Sequence, residues 1–466
     1  MAVRVSITAQ RSQPGRPNGK GNSKRLENDL RQQIGVASER AILVGIELPE
    51  SPFDSRQSLR ELLALAESAG AHVVSSVLQR RDRIDPKYFI GRGKIEELAD
   101  KVRAEQAHVV IFDDDLSPAQ IREIEAACAC KVIDRSELIL DIFANRARTH
   151  EARLQVELAQ LEYTSPRLRG MWKHLERIAG AGGGTGAGVV GGVGTRGPGE
   201  RQIEIDRRIV KRRITQLKRQ IAAIDRRKVR QVRARGEQFN VSLVGYTNAG
   251  KSTLMNSLTG AGVRVEDRLF ATLDTKTRKW SLGGGNGALL SDTVGFVQRL
   301  PHHLVASFRA TLEEAIHADL LLHVVDASSP SARDQYEAVR RVLEELGCEG
   351  HRTLVLLNKI DLVGDPADLQ VLQHQLPGAL PISARTGAGL AELVERVVDI
   401  IVGPTQRTTL RLHTGNGRAI AFLEHRAEVL TRRYLDHSVE MDVRIGSGHL
   451  SRLLTDHPET QVLPAS

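Results

Sequence analysis

The chain has 466 residues and a formal net charge of +9, with 41% hydrophobic and 26% charged residues. It is too long for a single domain, and its composition supports packed cores and excludes a wholly disordered chain. Only 3% of the residues are aromatic, which argues against a protein that binds single-stranded nucleic acid by stacking bases on aromatic side chains. The excess of basic residues favours an acidic partner, with nucleic acid as the first candidate and an anionic membrane as the second.

The cysteine spacing and the length of the apolar runs indicate in which cellular compartment the protein is expected. The three cysteines, Cys128, Cys130 and Cys348, lack the spacing of a disulfide framework or a zinc site. No segment reaches the roughly 18 unbroken apolar residues of a membrane helix, and the N-terminus lacks the apolar core of a signal peptide. These features predict a soluble, cytoplasmic protein without stable membrane insertion.

Five regions follow one another along the chain. Residues 1–38 are rich in Gly, Pro, Asn, Ser and Arg and predict a disordered basic tail. Residues 39–150 predict an N-terminal α/β domain, residues 151–238 a long helical hairpin, residues 239–403 a nucleotide-binding domain, and residues 404–466 a small C-terminal α/β domain. The predicted fold class is therefore α/β multidomain.

In the N-terminal domain, strand-like runs such as 41-AILVGIEL-48 and 108-HVVIFDD-114 alternate with helical patterns. This alternation predicts a mainly parallel sheet. The pair 117-SP-118 predicts a helix start, because serine caps helices and proline fits their first turn. The run 113-DDD-115 would suit a metal ion, but its position favours capping of that helix.

The hairpin is predicted from two long charged helical patterns, 151–178 and 200–236, which flank the glycine-rich loop 180–199. Pro166 favours a break in the first arm. The second arm is strongly basic, which favours contact with a phosphate backbone; a solvated helix face is the alternative.

A phosphate-binding loop is predicted from its spacing. The apolar run 241-VSLV-244 leads into 245-GYTNAGKS-252, where the glycines let backbone N–H groups turn around a β-phosphate. The following helix adds its N-terminal dipole. We expect Lys251 to contact the β- and γ-phosphates and the Ser252 hydroxyl to ligate Mg²⁺.

The motif 292-DTVGF-296 also follows a strand-like run. Asp292 can reach Mg²⁺ through water, and the backbone N–H of Gly295 can sense a γ-phosphate. Many GTPases carry glutamine at the position of Phe296 to orient the attacking water, and phenylalanine cannot hydrogen-bond water. Hydrolysis is therefore expected to be slow without another group or partner.

The guanine base is specified by 358-NKID-361. Asp361 offers two carboxylate oxygens to the N–H donors on the guanine edge, and adenine does not present that donor pair. In 382-ISAR-385, the backbone N–H of Ala384 can contact the guanine oxygen. The four motifs in this order predict an enzyme that hydrolyses GTP to GDP and phosphate with Mg²⁺.

The first switch is predicted within 270-FATLDTKTRK-279. Thr272 is the preferred ligand of Mg²⁺ and the γ-phosphate, and Thr275 is the alternative. Asn248 is a candidate ligand for a monovalent cation. The predicted catalytic residues are Lys251, Thr272 and Gly295. The predicted nucleotide-binding residues are Gly245, Tyr246, Thr247, Asn248, Ala249, Gly250, Lys251, Ser252, Thr253, Asp292, Thr293, Val294, Gly295, Asn358, Lys359, Asp361, Ser383, Ala384 and Arg385, and the predicted metal ligands are Ser252 and Thr272.

From about residue 40 onward the chain resembles the HflX family of ribosome-associated translational GTPases. The segments that carry the resemblance are 88-YFIGRGKIEEL-98, 109-VVIFDDDLSPAQ-120, 132-VIDRSELILDIFANRAR-148, 153-ARLQVELAQLEY-163, 196-RGPGE-200, 244-VGYTNAGKSTL-254, 269-LFATLDTKTR-278, 292-DTVGF-296 and 319-DLLLHVVDAS-328. The resemblance implies a factor that binds the large ribosomal subunit and its ribosomal RNA, and that splits stalled or idle ribosomes under stress. We expect the protein to be a monomer. The loop 180–199 would reach furthest into ribosomal RNA. An RNA-binding or ribosome-assembly factor with a regulatory GTPase domain is the alternative.

Overall fold

The computed structural model describes residues 36, 38–49, 54–165, 198–234, 239–260, 269–270, 275–283, 286–298 and 312–463, with the backbone alone for 198–206, 225, 227–234 and 313. Three separate sheets lie along this part of the chain. None of the described helices is long and apolar enough to cross a membrane.

The N-terminal sheet has the strand order β2-β1-β3-β4 and is parallel throughout, which confirms the predicted topology. Its strands are β1 (Arg40–Glu47), β2 (His72–Arg80), β3 (Val109–Phe112) and β4 (Lys131–Asp134). Its helices are α1 (Ser55–Ala69), α2 (Arg92–Ala104), α3 (Pro118–Cys128) and α4 (Arg135–Arg146).

Alternate residues of β1 face two different cores. Ala41 and Leu43 share a core with α1 and α4, and Ile42 and Val44 share another with α2 and α3. This is the period-two pattern of a strand buried on both faces, and it explains why the strand reads as a continuous apolar run.

The start of α3 corrects one interpretation. Ser117 caps the helix in a capping box with Gln120, as its sequence predicts. The capping role assigned to the preceding aspartates is wrong for Asp113 and Asp115, whose carboxylates accept hydrogen bonds from Arg135 and Ser136. Because β3 ends at Phe112, these carboxylates lie at the sheet edge where α4 begins.

The next two helices are α5 (His150–Thr164) and α6 (Pro198–Ala234). They pack through Leu154, Leu158 and Leu161 on α5 and through Val210 and Leu217 on α6. Ion pairs flank this contact, with Arg213 Nε 2.5 Å from Glu157 Oε1 and Lys218 Nζ 2.8 Å from Glu162 Oε1. The helix α5 ends before Pro166, and the glycine-rich loop 180–199 lies mostly outside the described residues.

The central sheet has six strands in the order β10-β9-β8-β5-β7-β6. All neighbours are parallel except the antiparallel pair β6 and β7. The strands are β5 (Phe239–Gly245), β6 (Lys276–Gly283), β7 (Asn286–Asp292), β8 (Leu320–Asp326), β9 (Thr353–Asn358) and β10 (Leu380–Pro381). The helices are α7 (Lys251–Thr259), α8 (Glu313–Ile316), α9 (Ala332–Glu345), α10 (Pro366–Gln375) and α11 (Leu390–Val402). Ligands of such sheets bind outside the carboxyl ends of the strands, where β5, β7 and β9 each deliver one predicted motif.

The C-terminal sheet has the order β12-β13-β11-β14 and is antiparallel throughout. Its elements are β11 (Thr405–His413), α12 (Gly417–Arg426), β12 (Glu428–Tyr434), β13 (Ser438–Gly446), α13 (Ser447–Asp456) and β14 (Gln461–Leu463). Leu423, Leu450 and Leu453 of the two helices share a core with Met441 of the sheet. Three of these elements, β12, α13 and β14, are not indicated by the sequence patterns.

Candidate nucleotide-binding site

The phosphate loop connects β5 to α7 through backbone conformations that favour glycine. Gly245 has a φ of 151°, Asn248 of 61° and Gly250 of 95°. A Cβ atom on Gly245 would lie 2.3 Å from the carbonyl oxygen of Val324, and one on Gly250 would lie 2.2 Å from Asn358 Nδ2. Left-handed residues in such a loop turn successive N–H groups toward one point, which makes an anion-binding nest. The loop therefore has a form that suits a phosphate group.

Lys251, the first residue of α7, is buried within this loop. Its ammonium group donates to the carbonyl oxygens of Gly245 at 3.0 Å and Tyr246 at 2.7 Å. An ammonium group has three hydrogens, so one remains for a phosphate. Burial lowers the pKa of Lys251 to about 8, although the charge of Asp292 acts in the opposite direction.

This lowered pKa predicts that nucleotide affinity falls in alkaline solution. Bound phosphates raise the pKa of Lys251, so below about pH 7 the lysine is charged in both states and its titration has no effect. Above about pH 8 binding must first take up a proton, and affinity is expected to fall toward tenfold per pH unit. Calorimetry of GDP binding in two buffers of different ionisation enthalpy, at about pH 8.5 and about pH 6.5, measures that uptake. Equal heats in both buffers at the higher pH would contradict it.

A hydroxyl and a carboxylate lie together beside the loop. Ser252 Oγ donates to Asp292 Oδ2 at 2.6 Å, and Asp292 is the last residue of β7. Hard oxygen donors of this kind suit Mg²⁺, which prefers carboxylate, hydroxyl, water and phosphate oxygens. Thr272, the preferred switch ligand, lies outside the described residues, whereas Thr275 is described as a half-buried residue just before β6. The choice between them stays a prediction.

The segment after Asp292 lies against the phosphate loop. Thr293 Oγ1 donates to the carbonyl oxygen of Leu243 at 2.7 Å, and Val294 is buried. The N–H of Phe296 donates to Gly245 O at 3.1 Å, and the N–H of Thr247 donates to Phe296 O at 2.7 Å. The Phe296 side chain is only 2% exposed, so it packs in the core and leaves the orientation of water to other groups.

Asn358 joins the guanine motif to the phosphate loop. Its Nδ2 donates to the carbonyl oxygen of Ala249 at 2.8 Å, and its Oδ1 accepts from the N–H of Ala384 at 2.9 Å. The contact with Ala249 requires the absence of a side chain at Gly250. One amide therefore fixes the spacing between the predicted phosphate, base and 382-ISAR-385 elements.

Lys359 and Asp361 form the rest of the predicted base site. Lys359 adopts a φ of 64°, and its Nζ donates to Asp326 Oδ2 at 2.7 Å. Asp361 Oδ1 accepts from Ser383 Oγ at 2.6 Å, while the residue itself is exposed. A carboxylate has room for further hydrogen bonds, so Asp361 is fixed in orientation and still able to accept from a base.

Three residues that contact the site are not predicted by the sequence motifs. Asp326 holds Lys359, and Ser257 Oγ donates to the carbonyl oxygen of Ala384 at 2.5 Å. Glu61 of the N-terminal domain accepts from Tyr246 Oη at 2.7 Å. Asp326 directly follows a strand-like run, which could have suggested it, but nothing in the sequence relates Glu61 to Tyr246.

The fold and the site define a P-loop GTPase, and comparisons with known proteins agree. Residues 56–144 match the family model GTP-binding GTPase N-terminal, residues 146–235 match GTP-binding GTPase Middle Region, and residues 240–359 match 50S ribosome-binding GTPase. GTPase HflX of Escherichia coli K12 is 42% identical over 427 residues, which are 91% of this chain and 97% of that relative. The chain belongs to the GTPase HflX family, and it is a GTPase.

Two further proteins are similar to this chain. GTPase HflX of Lacrimispora saccharolytica is 46% identical over 373 residues, which are 79% of this chain and 84% of that relative. Among solved structures, a GTP-binding protein from Sulfolobus solfataricus in complex with GDP is 25% identical, covers 78% of this chain and 98% of its own, and has a TM-score of 0.41.

Proposed function

We propose that this GTPase binds the large ribosomal subunit in the presence of GTP and splits stalled or idle ribosomes under stress. The observation that carries the proposal is a nucleotide site whose phosphate loop, Asp292 and Asn358 lie in the region that matches a 50S ribosome-binding GTPase. On this proposal the N-terminal region 39–150 and the hairpin 151–238 dock on ribosomal RNA in the cytoplasm. The GTPase region 239–403 then times docking and release.

The residues of the site have defined tasks on this proposal. The backbone N–H groups of residues 248–253 and the Lys251 ammonium bind the phosphates, and Asp361 selects guanine. Ser252 and Asp292 would hold Mg²⁺, which supplies charge that neutralises the phosphate oxygens in the transition state. The N–H of Gly295 would report the γ-phosphate to the segment that follows it.

A basic face on α6 supports an RNA partner. Arg208, Lys211, Arg212 and Arg219 are exposed and line one shallow groove with Thr215 and its neighbours. Closely spaced positive side chains attract a phosphate backbone and release its counterions, so their contribution weakens as salt rises. A helix face that contacted only solvent would not require such an excess of positive over negative charge.

Large subunits are expected to accelerate GTP hydrolysis by at least about tenfold, because the buried Phe296 leaves water orientation to a partner. Multiple-turnover phosphate release with large subunits, small subunits and protein-free ribosomal RNA measures this effect. Acceleration by large subunits alone supports the proposal. Equal rates under all three conditions would contradict it, and acceleration by any RNA would favour a general RNA-binding factor with a regulatory GTPase domain.

A further inference from the structure

A buried polar cluster joins the N-terminal domain to the switch segment, defined as residues 295–298. Its members are Glu61 of α1, Arg135 of α4, Tyr246 of the phosphate loop and Gln298. Arg135 is 2% exposed, Gln298 3% and Tyr246 5%. Because buried polar groups require partners, each contact in this cluster affects the others.

Both backbone polar groups of Gln298 are held by this cluster. Its N–H donates to Tyr246 Oη at 2.7 Å and more weakly to Glu61 Oε1 at 3.3 Å, and Tyr246 Oη in turn donates to Glu61 Oε1 at 2.7 Å. The carbonyl oxygen of Gln298 accepts from Arg135 Nη2 at 3.2 Å. The same Nη2 lies 3.0 Å from Glu61 Oε1, so a single carboxylate orients both side chains that hold Gln298.

The charges of the cluster fix these roles. Burial and the neighbouring Glu61 raise the pKa of Tyr246, which keeps its hydroxyl protonated as a donor. Burial opposes the charge of Arg135, but Glu61 and Asp113 raise its pKa and keep it a cation. Arg135 Nη1 donates to Asp113 Oδ1 at 2.6 Å, which anchors the guanidinium in the N-terminal domain.

The switch segment held in this way lies close to the predicted position of a γ-phosphate. A Cβ atom on Gly295 would lie 2.8 Å from Thr247 Cα and 3.0 Å from Lys251 Nζ. Even a single carbon atom on Gly295 would therefore crowd the loop, so little space is left between this residue and the Lys251 ammonium. A γ-phosphate that accepted hydrogen bonds from both groups would push Gly295 away from the loop, whereas GDP has no γ-phosphate to place there.

We propose that Tyr246 is a positioning residue which, with Glu61 and Arg135, holds the switch segment in a position that accepts GDP and excludes the γ-phosphate. The cluster thereby sets the preference of the site between GDP and GTP. GTP binding displaces Gln298 from the Tyr246 hydroxyl and the Arg135 guanidinium. This inference rests on the proposed nucleotide site and deepens it.

The test compares affinities of the full-length protein for fluorescent GDP and a non-hydrolysable GTP analogue. The first variant is Tyr246→Phe, which removes the hydroxyl group that contacts Gln298. The second is Glu61→Gln, which removes the negative charge that the N-terminal domain contributes to the cluster. The matched control is Tyr163→Phe, because Tyr163 is also a buried tyrosine whose hydroxyl donates to a carboxylate, that of Asp134. Both test variants are expected to raise the preference for the GTP analogue about fivefold or more, and the control is not.

The outcomes separate this inference from the site on which it rests. If the wild-type protein does not bind GDP, the nucleotide site itself is wrong. Normal GDP binding with an unchanged preference in Tyr246→Phe would overturn the positioning role. A change in Tyr246→Phe without one in Glu61→Gln would overturn the part assigned to the N-terminal domain, and an equal change in Tyr163→Phe would reduce the effect to lost stability.

Discussion

The Asp361→Asn variant is expected to prefer xanthine over guanine nucleotides, with the affinity for GDP reduced by about 100-fold or more. The asparagine amide group would face the N–H donors of guanine, whereas xanthine presents a carbonyl oxygen there. The fold should be kept, because the oxygen of asparagine can still accept from Ser383 Oγ, as Asp361 Oδ1 does at 2.6 Å.

Competition between fluorescent GDP and unlabelled GDP or XDP measures this change. Asp368→Asn is the matched control, because Asp368 is an exposed aspartate in the neighbouring helix α10. An Asp361→Asn protein that keeps its preference for guanine would show that another group reads the base.

The Lys251→Ala variant is expected to lose about 10- to 100-fold in affinity for both GDP and GTP, because a charge-assisted hydrogen bond to phosphate contributes roughly 1.5–3 kcal/mol. The folded protein should be as stable as before, since the buried ammonium has a pKa lowered to about 8 by its burial.

Equilibrium binding and thermal unfolding, measured on the same samples, separate loss of the ligand from loss of the fold. Lys279→Ala is a suitable control, because Lys279 is exposed on β6 of the same domain. Wild-type affinity in Lys251→Ala would refute the assignment of residues 245–252 as the phosphate loop.

The phosphate and base motifs can be located from the sequence because each is tied to the end of a strand. Gly245 and Asp292 end β5 and β7, and Asn358 ends β9, so a run of apolar residues followed by the motif fixes both the element and the edge of the sheet. Local spacing is then enough to bring the motifs together.

Contacts between distant elements could not be predicted in this way. Glu61 and Tyr246 are 185 positions apart, and their hydrogen bond depends on how the N-terminal domain lies against the GTPase domain. The capping role expected of Asp113 and Asp115 is wrong for the same reason, since these residues accept hydrogen bonds from Arg135 and Ser136 of α4. A run of three acids predicts charge but not the partner.

The C-terminal region shows a different limit. The strand β12 (Glu428–Tyr434) has the sequence EVLTRRY, and nearly all of its residues are exposed. An edge strand of this kind carries no alternation of apolar and polar residues for a pattern to detect. Its pairing with β13 depends on the backbone, and β13 itself alternates clearly through Val439, Met441 and Val443.

The most direct test of the account is sedimentation of purified ribosomes with the full-length protein. The gradient is run with a non-hydrolysable GTP analogue, with GDP and without nucleotide. The proposal predicts that the protein migrates with large subunits only with the analogue, and that intact ribosomes decrease in the same sample. Absence of the protein from ribosomal fractions in all three samples would contradict the ribosomal function and leave the GTPase site without an assigned partner.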